Sequence, residues 1–341
     1  MMKIDLNEKN IGELKDVYIF SDLEYVTIDT SSFSKKNNAL RLSRQYATLK
    51  DFIIKLANNG LYLVNYKDGV SIFEKFITAK DFLTHMNNKE DSYKVSNNLI
   101  YDLHEPEIQF KENNLLVIFS SFQIHPYLVT SPDERYFLKD FPNIYKYIPK
   151  NTYILRIADI GGVAGNFYLN TYYNNLIEMS VYKLIEERRK SLNIKKKHTL
   201  LFGFSKGGTA SFFYSIKHRY KAIAVDPIIT DKFHIDTYND SHFTQGIFPY
   251  TKDIKFKQLF EDYTIHKNIY IITSKKSQQF TYIHSFMEDN DRNNYINLII
   301  SKNPSIKDHP SVGENTINIF IMLINTIFYG INKQASLEVQ C

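Results

Sequence analysis

The chain has 341 residues, 43% of them hydrophobic, enough to bury a large core and to favour one large domain with a smaller one beside it. Its net charge of +5 is mild and spread along the length, so a nucleic-acid-binding role is not expected. A single cysteine, Cys341, excludes an internal disulfide and a cysteine-based metal site, and no metal is expected.

Residues 1–105 read as a small α+β module. Strand-like runs fall at 17–20, 25–28, 61–66 and 70–73, and helical patterns at 48–58 and 78–86. Thr78 followed by Asp81 has the spacing of an N-cap with an acidic partner three residues on. Asn58-Asn59-Gly60 suits a helix end. From about residue 106 to 333 the pattern changes. Short runs rich in Ile, Leu and Val occur at 115–119, 153–157, 199–202, 222–225, 269–273 and 296–300. Such runs suit strands buried on both faces of a parallel sheet. Helical stretches alternate with them at 174–189, 207–218, 279–289 and 312–328. The expected fold is α/β, with a doubly wound, mostly parallel sheet. Residues 334–341 read as a disordered tail.

The first residues lack the apolar core of a signal peptide. The most apolar stretch, 317–331, is interrupted by Asn318 and Asn325 and falls short of the roughly 20 residues of a membrane span. A cytoplasmic location is expected, with the inner face of the membrane as a site of peripheral association. The run Lys195-Lys196-Lys197 reads as a solvated loop, with an anionic polymer or membrane surface as the alternative.

The sharpest signal is Gly203-Phe204-Ser205-Lys206-Gly207-Gly208, which follows an apolar run and opens a helical one. Gly-x-Ser-x-Gly in that context is a nucleophile elbow, which makes the expected doubly wound sheet α/β-hydrolase-like. The turn is tight, and glycines at both flanks let strand and helix approach closely. Ser205 is the expected nucleophile, and the Lys206 backbone N–H at the helix start is an expected oxyanion donor. A phosphate-binding loop is excluded, because it requires Gly-Lys-Ser/Thr at its end. The Lys206 side chain reads as a solvated lysine, or as a contact for phosphates or an anionic glycan.

A serine nucleophile needs a base, and in this fold the order is serine, acid, histidine. His309 is the only histidine after the run at 296–300 and is the expected base. His218, His234, His242, His266 and His284 fit that place less well. The loop 274–278 after the penultimate run holds no carboxylate. Asp226, at the end of the preceding run, is therefore the expected acid, with Asp308 and Asp231 as fallbacks. A second oxyanion N–H is expected from Ser121 or Phe122, after the run at 115–119. The glycine-rich segment from Asp159 to Asn166 is expected to shape a substrate pocket through Gly161, Gly162 and Asn166. Arg156 is either an anion contact or a partner of Asp159.

The segments 119–122, 156–166, 203–208 and 225–227, spread over most of the chain from Leu115 onward, resemble the XcbB/CpsF-type capsular polysaccharide biosynthesis proteins. The elbow also resembles those of α/β-hydrolase-type capsule O-acetyltransferases and, more distantly, of the accessory-Sec acetyltransferase of glycosylated adhesins. These resemblances imply a Ser-His-acid triad that transfers an acetyl group from acetyl-CoA to a sugar hydroxyl. They imply as partners a capsular polysaccharide or oligosaccharide acceptor and a capsule-assembly complex. The chain departs from those relatives in its N-terminal module and in lacking an acid after 269–273. The same residues serve a carbohydrate or lipid esterase, and a non-catalytic assembly partner is the third reading.

Overall fold

The computed structural model describes residues 1–86, 92–123, 125–262, 268–288 and 296–331. His266, the expected tail 334–341 and Cys341 lie outside the described residues. Strands β1 (Met2–Asp5), β2 (Tyr25–Asp29), β3 (Leu61–Lys67) and β4 (Val70–Lys75) form a four-stranded sheet in the order β1-β2-β4-β3. The run at 17–20 is a loop rather than a strand, with Ile19 buried and Tyr18 and Phe20 exposed. Thr78 and Asp81 close the expected capping box on the helix Ala79–Leu83. Helix Ala47–Ala57 buries Leu49, Phe52, Ile53 and Leu56, a helical period that presents one face to the sheet.

The large sheet has eight strands: β5 (Tyr93–Ser96), β6 (Leu99–His104), β7 (Asn114–Phe119), β8 (Thr152–Ile157), β9 (Thr199–Phe204), β10 (Lys221–Val225), β11 (Ile269–Thr273) and β12 (Ile296–Ile300). Their order is β12-β11-β10-β9-β7-β8-β6-β5. All pairings from β8 to β12 are parallel, and β6 runs antiparallel to β8 and β5. This is the strand order and sense of the α/β-hydrolase sheet.

The boundary at 105 is corrected. The β5–β6 hairpin belongs to the large sheet, where Asp102 pairs with Arg156. Its turn is made by Asn97 and Asn98, both left-handed, as a two-residue hairpin turn demands.

Every residue of β7 and β8 is buried, and alternate residues serve opposite faces. Leu115, Val117 and Phe119 join the core under the helices Ile177–Ser191 and Ser205–His218. Leu116 and Ile118 join the core under the helix Ile317–Phe328. The single helix expected at 312–328 is two. Asp308 caps a short helix His309–Glu314, and a second begins after Thr316. Among the described residues no helix is long and apolar enough to cross a membrane.

The small sheet's core is continuous with the large domain through Tyr136, Phe137, Val163, Phe243 and Ile247.

Candidate active site

Each side chain of the candidate site follows the C-terminal end of a parallel strand, where open α/β sheets place their clefts. Ser205 directly follows β9 and adopts φ 51°, a left-handed conformation that costs a non-glycine residue free energy. Close approach explains its neighbours. A Cβ on Gly203 would lie 2.3 Å from the Gly207 carbonyl, and one on Gly207 would lie 2.1 Å from the Phe119 oxygen. The turn is therefore possible only with glycine at both places.

Ser205 Oγ lies 2.8 Å from His309 Nε2. His309 Nδ1 lies 2.6 Å from Asp226 Oδ2. A proton on Nδ1 facing the carboxylate leaves Nε2 free to accept from the serine. Asp226 follows β10, is 2% exposed and is also left-handed, at φ 47°. Thr273 and Ser277 each donate a hydroxyl to its carboxylate. The backbone N–H of His309 donates to Gln278 Oε1 at 2.7 Å. The end of β11 and the loop after it, which carries no acid, thus supply the groups that hold the acid and the imidazole. Asp308 and Asp231 are engaged elsewhere: Asp308 accepts from Ser311 N–H, and Asp231 pairs with Lys252.

A cavity of about 610 Å³ opens over Ser205 and His309. Phe141, Phe204, Ile317 and Phe320 form an apolar wall, and Arg44, Tyr127, His234, Tyr238 and His242 a more polar one. Burial, with help from His309 and Lys252, pushes His234 down to about 3. Burial and the neighbouring His234 push His242 well below the ordinary imidazole range. Both rings are therefore neutral at pH 7.

Several expectations need correction. The Ser121 N–H donates to Asp140 Oδ2 at 2.8 Å, and its hydroxyl donates to Oδ1 at 2.7 Å, so Ser121 is not free to serve an oxyanion. Burial raises the Asp140 carboxyl despite those two bonds. Phe122 lines the cavity. Lys206 stands in the first turn of its helix, where backbone N–H groups have no intrahelical acceptor.

The Lys206 side chain is neither solvated nor turned to a ligand. It is 0% exposed, with Nζ 2.9 Å from Asp159 Oδ2, a contact without hydrogen-bond alignment. Asp159 also accepts the N–H groups of Asn166, Phe167 and Tyr168. A Cβ on Gly165 would lie 2.5 Å from that carboxylate, so the glycine makes room for the pair.

Gly161, Gly162 and Asn166 belong to this buried loop and do not line the cavity. Neither does Arg156, which donates to the carbonyls of Asp140 and Phe141 instead of pairing with Asp159. Desolvation lowers Arg156 to about 10, against the pull of Asp140 and Asp102.

His234 and His242, poor candidates for the base by chain order, both line the cavity. The signal available was only their occurrence in the long insertion after β10.

No protein-family model matches the chain, and no curated protein matches it. Solved structures with a similar fold include the capsule O-acetyltransferase of Neisseria meningitidis serogroup A, 15% identical, covering 70% of this chain and 94% of that one, at a TM-score of 0.49. A fluorophosphonate-binding serine hydrolase of Staphylococcus aureus is 12% identical, covering 67% and 92%, at a TM-score of 0.47. An esterase of Thermogutta terrifontis is 12% identical, covering 69% and 90%, at a TM-score of 0.47. At such identities and scores the likeness is one of fold and transfers no activity, substrate or partner to this chain.

Proposed function

We propose that the chain is a serine-dependent acyltransferase that moves an O-acetyl group from acetyl-CoA to a hydroxyl of a capsular polysaccharide or oligosaccharide. One observation carries the chemistry: the unbroken path from Ser205 Oγ through His309 to Asp226, at 2.8 and 2.6 Å, opening into a cavity. His309 takes the serine proton as Ser205 attacks the acyl carbonyl. Asp226 holds the imidazole and stabilises it when it is charged. The oxyanion rests on the backbone N–H groups of Lys206 and Phe122. The resemblance of the segments 119–122, 203–208 and 225–227 to capsule biosynthesis proteins supports the acceptor class. A second reading, hydrolysis of a carbohydrate or lipid ester by the same residues, is favoured by the apolar wall of Phe141, Phe204, Ile317 and Phe320, which suits an acyl chain larger than acetyl.

The test is to incubate the protein with acetyl-CoA and unmodified capsule polymer and to follow O-acetyl signals by NMR, alongside hydrolysis of p-nitrophenyl acetate. Ser205→Ala is expected to lower whichever activity is found by at least about 10⁴-fold. If neither activity depends on Ser205, the serine reading falls.

A further inference from the structure

The N-terminal ends of the parallel strands, at the edge opposite the candidate active site, carry cations that the chemistry above leaves unused. Lys195, Lys196, Lys197 and His198 lead into β9, and Arg219 and Lys221 into β10. The two approaches lie side by side, because Lys221 pairs with Leu200 in the sheet. Lys195, Lys196, Lys197 and Arg219 are exposed, and Lys221 is half-buried. Lys196 Nζ lies 4.8 Å from the centre of the ring of Tyr220, the residue between Arg219 and Lys221. The acids nearby are mostly engaged: Glu112 with Lys195, Glu107 with Lys150 and Glu186 with Arg189. Lys197, Arg219 and Lys221 have no ion-pair partner among the described residues. Burial and the neighbouring charge of Lys197 lower the Lys221 ammonium. Like charges gathered in this way repel one another, and an anionic surface relieves that repulsion.

A second observation decides which surface. The loop 105–113, before β7, lies beside the cations, because Glu112 pairs with Lys195 and lies 3.6 Å from His198. The loop is tied to the approach to β8. The Ile108 N–H donates to the Lys150 carbonyl at 3.2 Å, and Asn151 Nδ2 donates to the Glu112 carbonyl at 2.9 Å. So held, the loop presents Ile108 and Phe110 to solvent, 49% and 60% exposed, with the exposed Lys111 next to Phe110. Apolar side chains beside a basic patch suit a bilayer interface: the apolar groups enter the headgroup region and the cations meet anionic lipids. A hydrated anionic polymer satisfies the cations alone. The six-residue β9 sets this edge about 20 Å from Ser205, at about 3.3 Å per residue.

We propose that Ile108, Phe110, Lys196, Lys197, Arg219 and Lys221 form a docking surface for an anionic phospholipid bilayer. Docked there, the chain holds its cavity at the end of the sheet away from the lipid, open to the aqueous side. The docking surface is independent of the acyl-transfer reading.

The test floats the full chain with vesicles of phosphatidylcholine, alone or with about 30% phosphatidylglycerol as the anionic lipid. Flotation is expected with the anionic vesicles at about 0.1 M salt and is expected to be lost at about 1 M, where the screening length falls to about 3 Å. The double variant Lys196→Gln, Lys197→Gln is expected to weaken partitioning about 30-fold, the loss of two surface charges. The chain contains no tryptophan, so Phe110→Trp introduces a single reporter. Its emission is expected to shift to the blue on anionic vesicles, whereas that of Tyr238→Trp, at the cavity, is expected to stay in place. No flotation, equal flotation with neutral vesicles, partitioning unmoved in the double variant, or an unshifted Phe110→Trp emission overturns the docking surface. Salt-sensitive binding to an anionic polysaccharide such as hyaluronate, in place of the vesicles, overturns it as well.

Discussion

Asp226 and Asp159 are the same residue type at the same edge of the same sheet, one after β10 and the other after β8. Both are buried, at 2% and 1% exposure. Asp226 takes two hydroxyls and the imidazole of His309, which faces Ser205. Asp159 takes three backbone N–H groups and the ammonium of Lys206. One carboxylate orients an imidazole; the other staples a loop to the residue next to the serine. Position at the cleft edge alone does not make a chemical group, because the partner decides what the charge does.

Four substitutions can break or sharpen this contrast. Asp226→Asn is expected to lower ester turnover by about 10⁴-fold with the fold intact, since the imidazole loses the acceptor that sets its tautomer. A full rate in steady-state assays would remove Asp226 from the triad. Asp159→Asn is expected to act on stability, costing about 3–5 kcal/mol in denaturant unfolding, because it strands the fully buried Lys206 ammonium. Lys206→Met should cost less, because Asp159 keeps its three N–H donors; the reverse order would mean that the pair is not the staple described here. The smallest effect is expected from Ser277→Ala, about tenfold in kcat, for the loss of one of the two hydroxyls on Asp226. An unchanged kcat would leave Thr273 as sufficient support.

Much of the candidate site is legible in the amino-acid sequence. Ser205 stands out because an elbow is a local steric object: its glycines and serine lie within five residues, between an apolar strand and a helix. His309 and Asp226 could be singled out from strand ends and chain order, and the fold brings both within hydrogen-bonding distance of their neighbours. Less legible were the residues whose roles depend on what meets them from afar. Ser121 lies in the expected loop, yet Asp140, 19 residues on, takes its N–H. The glycine-rich loop looked like a pocket and proved to be a buried wrap around Asp159.

The sequence by itself determined the parallel α/β core, because strands buried on both faces must be continuously apolar, and their shortness and β-branched content separate them from the longer helices between. It determined the elbow as well, because only glycine tolerates contacts of 2.1 to 2.3 Å at Gly207 and Gly203. Tertiary structure alone decided that the β5–β6 hairpin joins the large sheet, that Lys206 is an internal cation, and that His234 and His242 reach the cavity in an insertion whose Asn239 carbonyl is bound by Arg44 and Lys50. Those outcomes turn on contacts between residues tens to nearly two hundred positions apart, and no local pattern of polarity encodes which distant partner a buried polar group will find.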